Sequence, residues 1–107
     1  MSEANVIAEV SIVPVGTGNA SLSAFVADCV NILEKRKSIK YQLTSMGTII
    51  EGPLKDILEA IRLMHEAPFN DGVLRVVTNV KIDDRRDKKI SMEGKVASVQ
   101  KHLTNKG

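Results

Sequence analysis

Three charged side chains, Glu9, Glu51 and Arg75, lie in stretches that otherwise consist mostly of aliphatic and β-branched residues. A carboxylate in such surroundings can neutralise a cationic ligand, accept a hydrogen bond from an amino group or act as a general base. An unpaired buried charge is costly, so these groups need partners. The sequence leaves two interpretations open, a structural Glu9–Arg75 ion pair inside a dimer and a ligand pocket at the dimer interface lined by some of these polar groups.

The other motifs that could carry chemistry are incomplete. Residues 16–19 (Gly-Thr-Gly-Asn) could hold an anion before a helix, but Ser21 stands where a dinucleotide-binding fingerprint requires glycine. His65-Glu66 begins a zinc-protease motif, but residue 69 is Phe. We therefore expect a plain turn at 16–19, a core-edge histidine with one hydrogen bond at position 65, and neither catalytic residues nor a metal site.

Composition limits the class of protein. A chain of 107 residues is long enough for one domain, spanning 1–107, and its net charge of +2 is too small to indicate nucleic acid or an anionic membrane as partner. Cys29 is the single cysteine, so no intrachain disulfide can form, and its place on an apolar stripe predicts a buried, unreactive thiol. Without a signal peptide or an apolar run of transmembrane length, the expected location is the cytoplasm.

Hydrophobic periodicity predicts the order β-α-β-β-α-β followed by a C-terminal helix. This order is typical of a ferredoxin-like α+β sandwich, in which helices cover one face of a four-stranded antiparallel sheet. RNA-binding domains share the order, but the central strands here lack the aromatic residues that stack on bases. The predicted strands span 6–14, 41–46, 48–51 and 73–82. The first predicted helix spans 22–36 with Ser21 as N-cap, and the second runs from Pro53 to Pro68. The third starts after Ser91 and has Met92, Val96, Val99 and Leu103 on one face.

The sheet face without helices is predicted to be neither fully polar nor a plain core. Alternation along the strands places apolar and polar side chains on it together. A monomer would expose this apolar area, so sheet-to-sheet dimerisation is the simplest explanation. The charged segment 83–89 is interpreted as a solvated loop that could also contact a neighbouring subunit. The predicted set comprises Ile7, Val13, Ile49, Val73 and Val77 with Glu9, Ser11, Thr44, Glu51, Arg75 and Asn79.

Five segments together resemble the thiamine-binding protein family of small ferredoxin-like proteins, and the similarity extends over nearly the whole chain. Met46-Gly-Thr followed by Glu51-Gly is the most specific part. The segments are 9–16 (Glu-Val-Ser-Ile-Val-Pro-Val-Gly), 43–53 (Leu-Thr-Ser-Met-Gly-Thr-Ile-Ile-Glu-Gly-Pro), His65-Glu66, 72–78 and 81–87.

The resemblance implies non-catalytic binding of thiamine or its hydroxymethylpyrimidine moiety by a homodimer or homotetramer, with no cofactor beyond that possible ligand. A carboxylate could neutralise the thiazolium, while hydroxyls and backbone groups near Gly47 could bind the pyrimidine nitrogens. Aliphatic side chains and Met46 could wall the rings. The ligand-binding candidates implied by the matching motifs are Glu9, Ser11, Thr44, Gly47, Thr48, Glu51 and Arg75.

Two alternatives stay open at this stage. The chain could be a structural or regulatory oligomer that has no ligand and uses its sheet face only for self-association. It could also be an enzyme with Glu9 or Glu51 as general base, although acylphosphatase-like chemistry would need an arginine in the loop after the first strand, and residues 14–20 contain none.

Overall fold

A computed structural model of the chain describes residues 5–16 and 23–105. Its sheet has the strand order β2-β3-β1-β4 and every neighbouring pair is antiparallel, which confirms the predicted ferredoxin-like α+β fold. Ser21 and most of the glycine turn lie outside the described residues. The elements are β1 (Asn5–Pro14), α1 (Ser23–Glu34), β2 (Lys40–Thr44), β3 (Gly47–Pro53), α2 (Leu54–Asn70), β4 (Val76–Asp83) and α3 (Met92–Asn105).

The core lies between the sheet and the pair α1 and α2, and it is aliphatic as expected. Alternate residues of β1, namely Val6, Ala8 and Val10, are buried there against Leu33 of α1 and Ile57 of α2. Burying one such aliphatic side chain contributes about 1.5–3 kcal/mol, so this contiguous cluster provides the main stabilisation.

Strand β1 extends further along β4 than along β3. Its pairing with β3 ends at Val10–Thr48, whereas its pairing with β4 continues to Pro14–Val76. The β2–β3 turn closes directly beside this point, where a Cβ on Gly47 would lie 2.8 Å from the Val10 carbonyl oxygen. Only glycine allows that approach without a backbone shift, and the approach leaves a gap beside residues 11–13.

The predicted strand over 73–82 starts three residues late, because α2 runs through Pro68 to Asn70. Gly72, with φ of +90°, reverses the chain. Its N–H donates to the Phe69 carbonyl and the N–H of Val73 donates to the Pro68 carbonyl, which is the Schellman arrangement at a helix end. Residues 73–75 therefore belong to the helix exit, and the prediction of strand there was wrong.

Helix α3 begins as predicted, with the Ser91 hydroxyl accepting the N–H of Gly94 at 2.9 Å. Its first turn lies over one end of the sheet face opposite α1 and α2. The Met92 N–H donates to Glu51 Oε1 at 2.8 Å, and Lys95 Nζ lies 2.6 Å from Asp83 Oδ2. That end of the face is consequently covered, while the stripe of Val96, Val99 and Leu103 further along α3 is exposed.

None of the helices in the described part of the chain is both long enough and apolar enough to cross a membrane.

Candidate functional site

A cavity of about 400 Å³ opens between the sheet and α1, beside the β2–β3 turn. The neighbouring register positions Val10, Thr48 and Leu43 form one wall on the helix-facing side of the sheet. Residues 11–13 and 44–47 continue the lining along β1 and the turn. The helices contribute Phe25, Val26, Cys29 and Met64.

Thr48 is the buried polar side chain of this wall. It is 7% exposed, and its hydroxyl makes no hydrogen bond with any described residue. Among the described residues, every buried side-chain oxygen or nitrogen that is fully inaccessible has a partner, so the Thr48 hydroxyl must be reachable from the cavity. Because this hydroxyl has no protein partner and can be reached from the cavity, it can exchange water for a polar ligand without losing a hydrogen bond within the protein.

The backbone of Ile12 provides a second polar feature of the lining. The closeness of Gly47 to the Val10 carbonyl places the Val10 backbone groups on the β3 side. Because backbone groups alternate in direction along an antiparallel strand, the N–H and C=O of Ile12 face the same side. The pairing of β1 with β3 ends at Val10, so the N–H and C=O of Ile12 have no partner on β3.

Thr44 shapes the cavity through the turn. Its hydroxyl donates to the Gly47 carbonyl at 2.9 Å and accepts the N–H groups of Met46 and Gly47 at 3.2 and 3.1 Å. Two-residue hairpin turns usually contain residues with positive φ, and neither Ser45 nor Met46 has one. The Thr44 hydroxyl therefore holds the turn in place.

Four of the seven predicted ligand-binding residues line this one cavity: Ser11, Thr44, Gly47 and Thr48. The other three lie elsewhere. Glu9 is exposed on the opposite sheet face, and Glu51 is 5% exposed with the Met92 N–H as its partner. Arg75 precedes β4 and is exposed.

Within one chain, the predicted Glu9–Arg75 ion pair is wrong. The register places Lys81 opposite Glu9, whereas the Arg75 carbonyl accepts the N–H of Val15. Six residues of extended strand separate Glu9 from Val15, about 20 Å at 3.3 Å per residue. The prediction relied on a strand that included Arg75, and the longer α2 exit removes Arg75 from β4.

Sequence reasoning did not assign the helix residues of the cavity, because Phe25, Val26 and Met64 have the spacing of ordinary core positions. Cys29 is buried as predicted, and burial, followed by the charge of Asp28, raises the pKa of its thiol. The prediction for His65 is also confirmed, since its Nδ1 lies 2.7 Å from the Thr78 hydroxyl.

Within the described ranges, no three side chains of His, Cys, Asp or Glu come together as a metal ion would require.

The chain is similar in sequence and in structure to known proteins. UPF0045 protein YqgV of Bacillus subtilis is 55% identical over 100 residues, covering 91% of this chain and 96% of that protein. The crystal structure of hypothetical protein MJ1052 from Methanocaldococcus jannaschii superposes with a TM-score of 0.82 at 40% identity, covering 90% of this chain and 96% of that one.

A Thermotoga maritima structure, provisionally assigned to thiamine biosynthesis or salvage, has a TM-score of 0.71 at 19% identity and covers 89% of this chain and 98% of its own. That likeness concerns the fold alone. The family described as thiamine-binding protein matches residues 8–100. The chain therefore belongs to the thiamine-binding protein family.

Proposed function

We propose that this protein binds thiamine, or its hydroxymethylpyrimidine moiety, in the cavity beside the β2–β3 turn and does not transform it. The observation that carries the proposal is the Thr48 hydroxyl, which has no partner among the described residues and is reachable from this cavity. Membership of the thiamine-binding family supports the class of ligand.

The chemistry of the lining suits the neutral pyrimidine better than the thiazolium. An aminopyrimidine has adjacent hydrogen-bond donors and acceptors, which match the Thr48 hydroxyl and the backbone of Ile12. Leu43, Met64 and Phe25 supply apolar contact, and about 400 Å³ is ample for one such ring. Since the described lining contains no carboxylate, we expect the cationic thiazolium to lie toward solvent.

The lining also favours binding over chemistry. The thiol of Cys29 has a raised pKa and stays protonated at neutral pH, and the serine and threonine hydroxyls of the lining would need a general base to act as nucleophiles. No histidine, lysine or carboxylate stands among the described lining residues to act as a general base.

Calorimetric titration with thiamine and with hydroxymethylpyrimidine tests the proposal. Thr48→Val keeps the shape of the side chain and removes only the hydroxyl, so we expect about tenfold weaker binding. Thr78→Val is the matched control, because it removes the hydrogen bond to His65 and does not touch the cavity. The absence of heat and of a thermal shift at millimolar ligand, or wild-type affinity in Thr48→Val, would contradict the proposal.

We also propose that the chain forms homodimers or homotetramers through β4. This strand lies at the edge of the sheet, with Val77 exposed on one face and Val80 and Ile82 exposed on the other. Unpaired edges with apolar neighbours favour pairing with another chain. Glu9, Glu51 and Arg75 stay predicted ligand groups only for a pocket that such an assembly would complete.

An oligomer without any ligand is the alternative function, favoured by the same exposed residues of β4. The calorimetric titration separates the two, because that alternative predicts a defined oligomer mass and no heat with either compound. A cytoplasmic location is part of the proposal, since the buried, unpaired Cys29 suits a reducing compartment.

A further inference from the structure

A second cavity, also about 400 Å³, lies between the charged segment 83–90 and the first turns of α3. It is separate from the proposed thiamine site. Its residue Asp83 pairs with Ile7 at one end of β1, whereas the first cavity begins at Val10 and extends the other way. Ser91, Lys95 and Ser98 are spaced so that they line it from one face of α3.

The lining is cationic. Arg85, Lys88, Lys89 and Lys95 line the cavity with one carboxylate, Asp83, and Asp87 pairs with Arg85 beside it, so two positive charges remain in excess. Such an excess attracts anions and disfavours a metal cation.

Two of these cations are already engaged. Lys95 lies 2.6 Å from Asp83, and Arg85 donates to Asp87 at 2.6 and 3.1 Å. Lys88 and Lys89 form no ion pair within 4 Å of any described carboxylate, although the charge of Lys88 helps to lower the pKa of Asp87, so both ammonium groups can still approach a ligand.

Serine hydroxyls add directional donors. The Ser91 oxygen accepts the N–H of Gly94, which leaves the Ser91 proton available for donation. The N–H groups of Met92 and Gly94 are taken by Glu51 and Ser91, so recognition would depend mainly on side chains.

We propose that this second cavity binds a phosphate-class dianion, either as the free ion or as the phosphoryl group of a small ester. The ammonium groups of Lys88 and Lys89 match the charge of such a dianion, and hydroxyls of Ser91 and Ser98 can donate to its oxygens. The site does not depend on the thiamine proposal.

The test is calorimetric titration of the full chain with inorganic phosphate and with glycerol 2-phosphate, at constant ionic strength set with sodium chloride. We expect binding of at least one probe, and a loss of about tenfold in affinity for Lys88→Gln/Lys89→Gln. Lys35→Gln/Lys37→Gln removes the same charge from the region after α1 and should change the affinity less than about twofold.

Binding of both probes with equal affinity supports recognition of the phosphoryl group alone, and preference for the ester supports additional contact with its organic part. Absence of binding by both, or an equal loss in the two double variants, would overturn the proposal. Thr48→Val should keep wild-type phosphate affinity, so failure of the thiamine proposal is distinguishable from failure of this one.

Discussion

Three threonines show how surroundings decide the role of one residue type. The Thr44 hydroxyl holds a turn, the Thr78 hydroxyl pairs with His65 between β4 and α2, and the Thr48 hydroxyl has no partner among the described residues. Only an unpaired, reachable hydroxyl can gain from a ligand without losing a protein contact. The Thr48 hydroxyl is therefore a candidate ligand-binding group because it lacks a hydrogen bond to a described residue, and not because it belongs to a threonine.

Thr44→Val should weaken the fold and also distort the cavity, because it removes the three hydrogen bonds that the Thr44 hydroxyl makes within the turn. We expect the free energy of unfolding, measured by urea denaturation, to fall by about 1–3 kcal/mol. Thr44→Ser keeps the hydroxyl and should stay within about 0.5 kcal/mol of wild type. Equal stability of the two variants would show that the turn does not need the hydroxyl.

The thiol of Cys29 offers a chemical reporter of the cavity that it lines. Burial penalises the thiolate and so raises the pKa, which lowers the reactive fraction at pH 8 below that of an exposed cysteine. We expect slow alkylation by iodoacetamide, accelerating as the pH rises, and further slowing when thiamine occupies the cavity. Labelling as fast as in an unfolded control, or no protection at saturating thiamine, would contradict this expectation.

At the scale of elements, Glu51 joins α3 to the sheet. Its buried carboxylate accepts the Met92 N–H, and Glu51→Leu would leave that donor without its partner. We expect faster hydrogen exchange throughout α3 in Glu51→Leu, with β1 and β3 still protected. Glu51→Gln retains an acceptor oxygen and should protect α3 nearly as well as wild type; equal exchange in both variants would exclude this role.

The order of elements was predictable because alternation in β1, the apolar stripe of α2 and the Ser91 cap are local signals. The structure of residues 73–75 was not predictable, since a β-branched apolar run suits both a strand and the exit of a helix. Alternation also assigned residues of β1 to the correct faces. It carries no information on the register between strands, so the position of Lys81 opposite Glu9 was not predicted. Ten of the fourteen described lining residues of the cavity lie in the matching motifs, while its four helix residues look like ordinary core.

At the scale of the whole molecule, one copy leaves much apolar surface in water. The radius of gyration is 15.8 Å, against about 13 Å for a compact chain of this length. Exposed apolar residues occur along α3 and on both faces of β4. A second copy that covered these areas would account for both observations.

Val77→Lys should therefore break the assembly. Val77 is 42% exposed and pairs in register with Val13, which is also exposed, so a charge there would be buried in any interface across that face. Multi-angle light scattering should give a multiple of the chain mass for wild type and a lower mass for Val77→Lys. Leu58→Lys, on the exposed side of α2, is the matched control and should keep the wild-type mass.

A monomeric wild type at micromolar concentration would contradict self-association, whereas an unchanged oligomeric mass for Val77→Lys would contradict an interface across the face of β4 that carries Val77. The same variant separates the two possible places for the ligand. The cavity beside the β2–β3 turn is lined by one chain, so a monomeric Val77→Lys protein should still bind thiamine with wild-type affinity. Loss of binding together with loss of assembly would instead indicate a pocket on the opposite sheet face, where Glu9 lies.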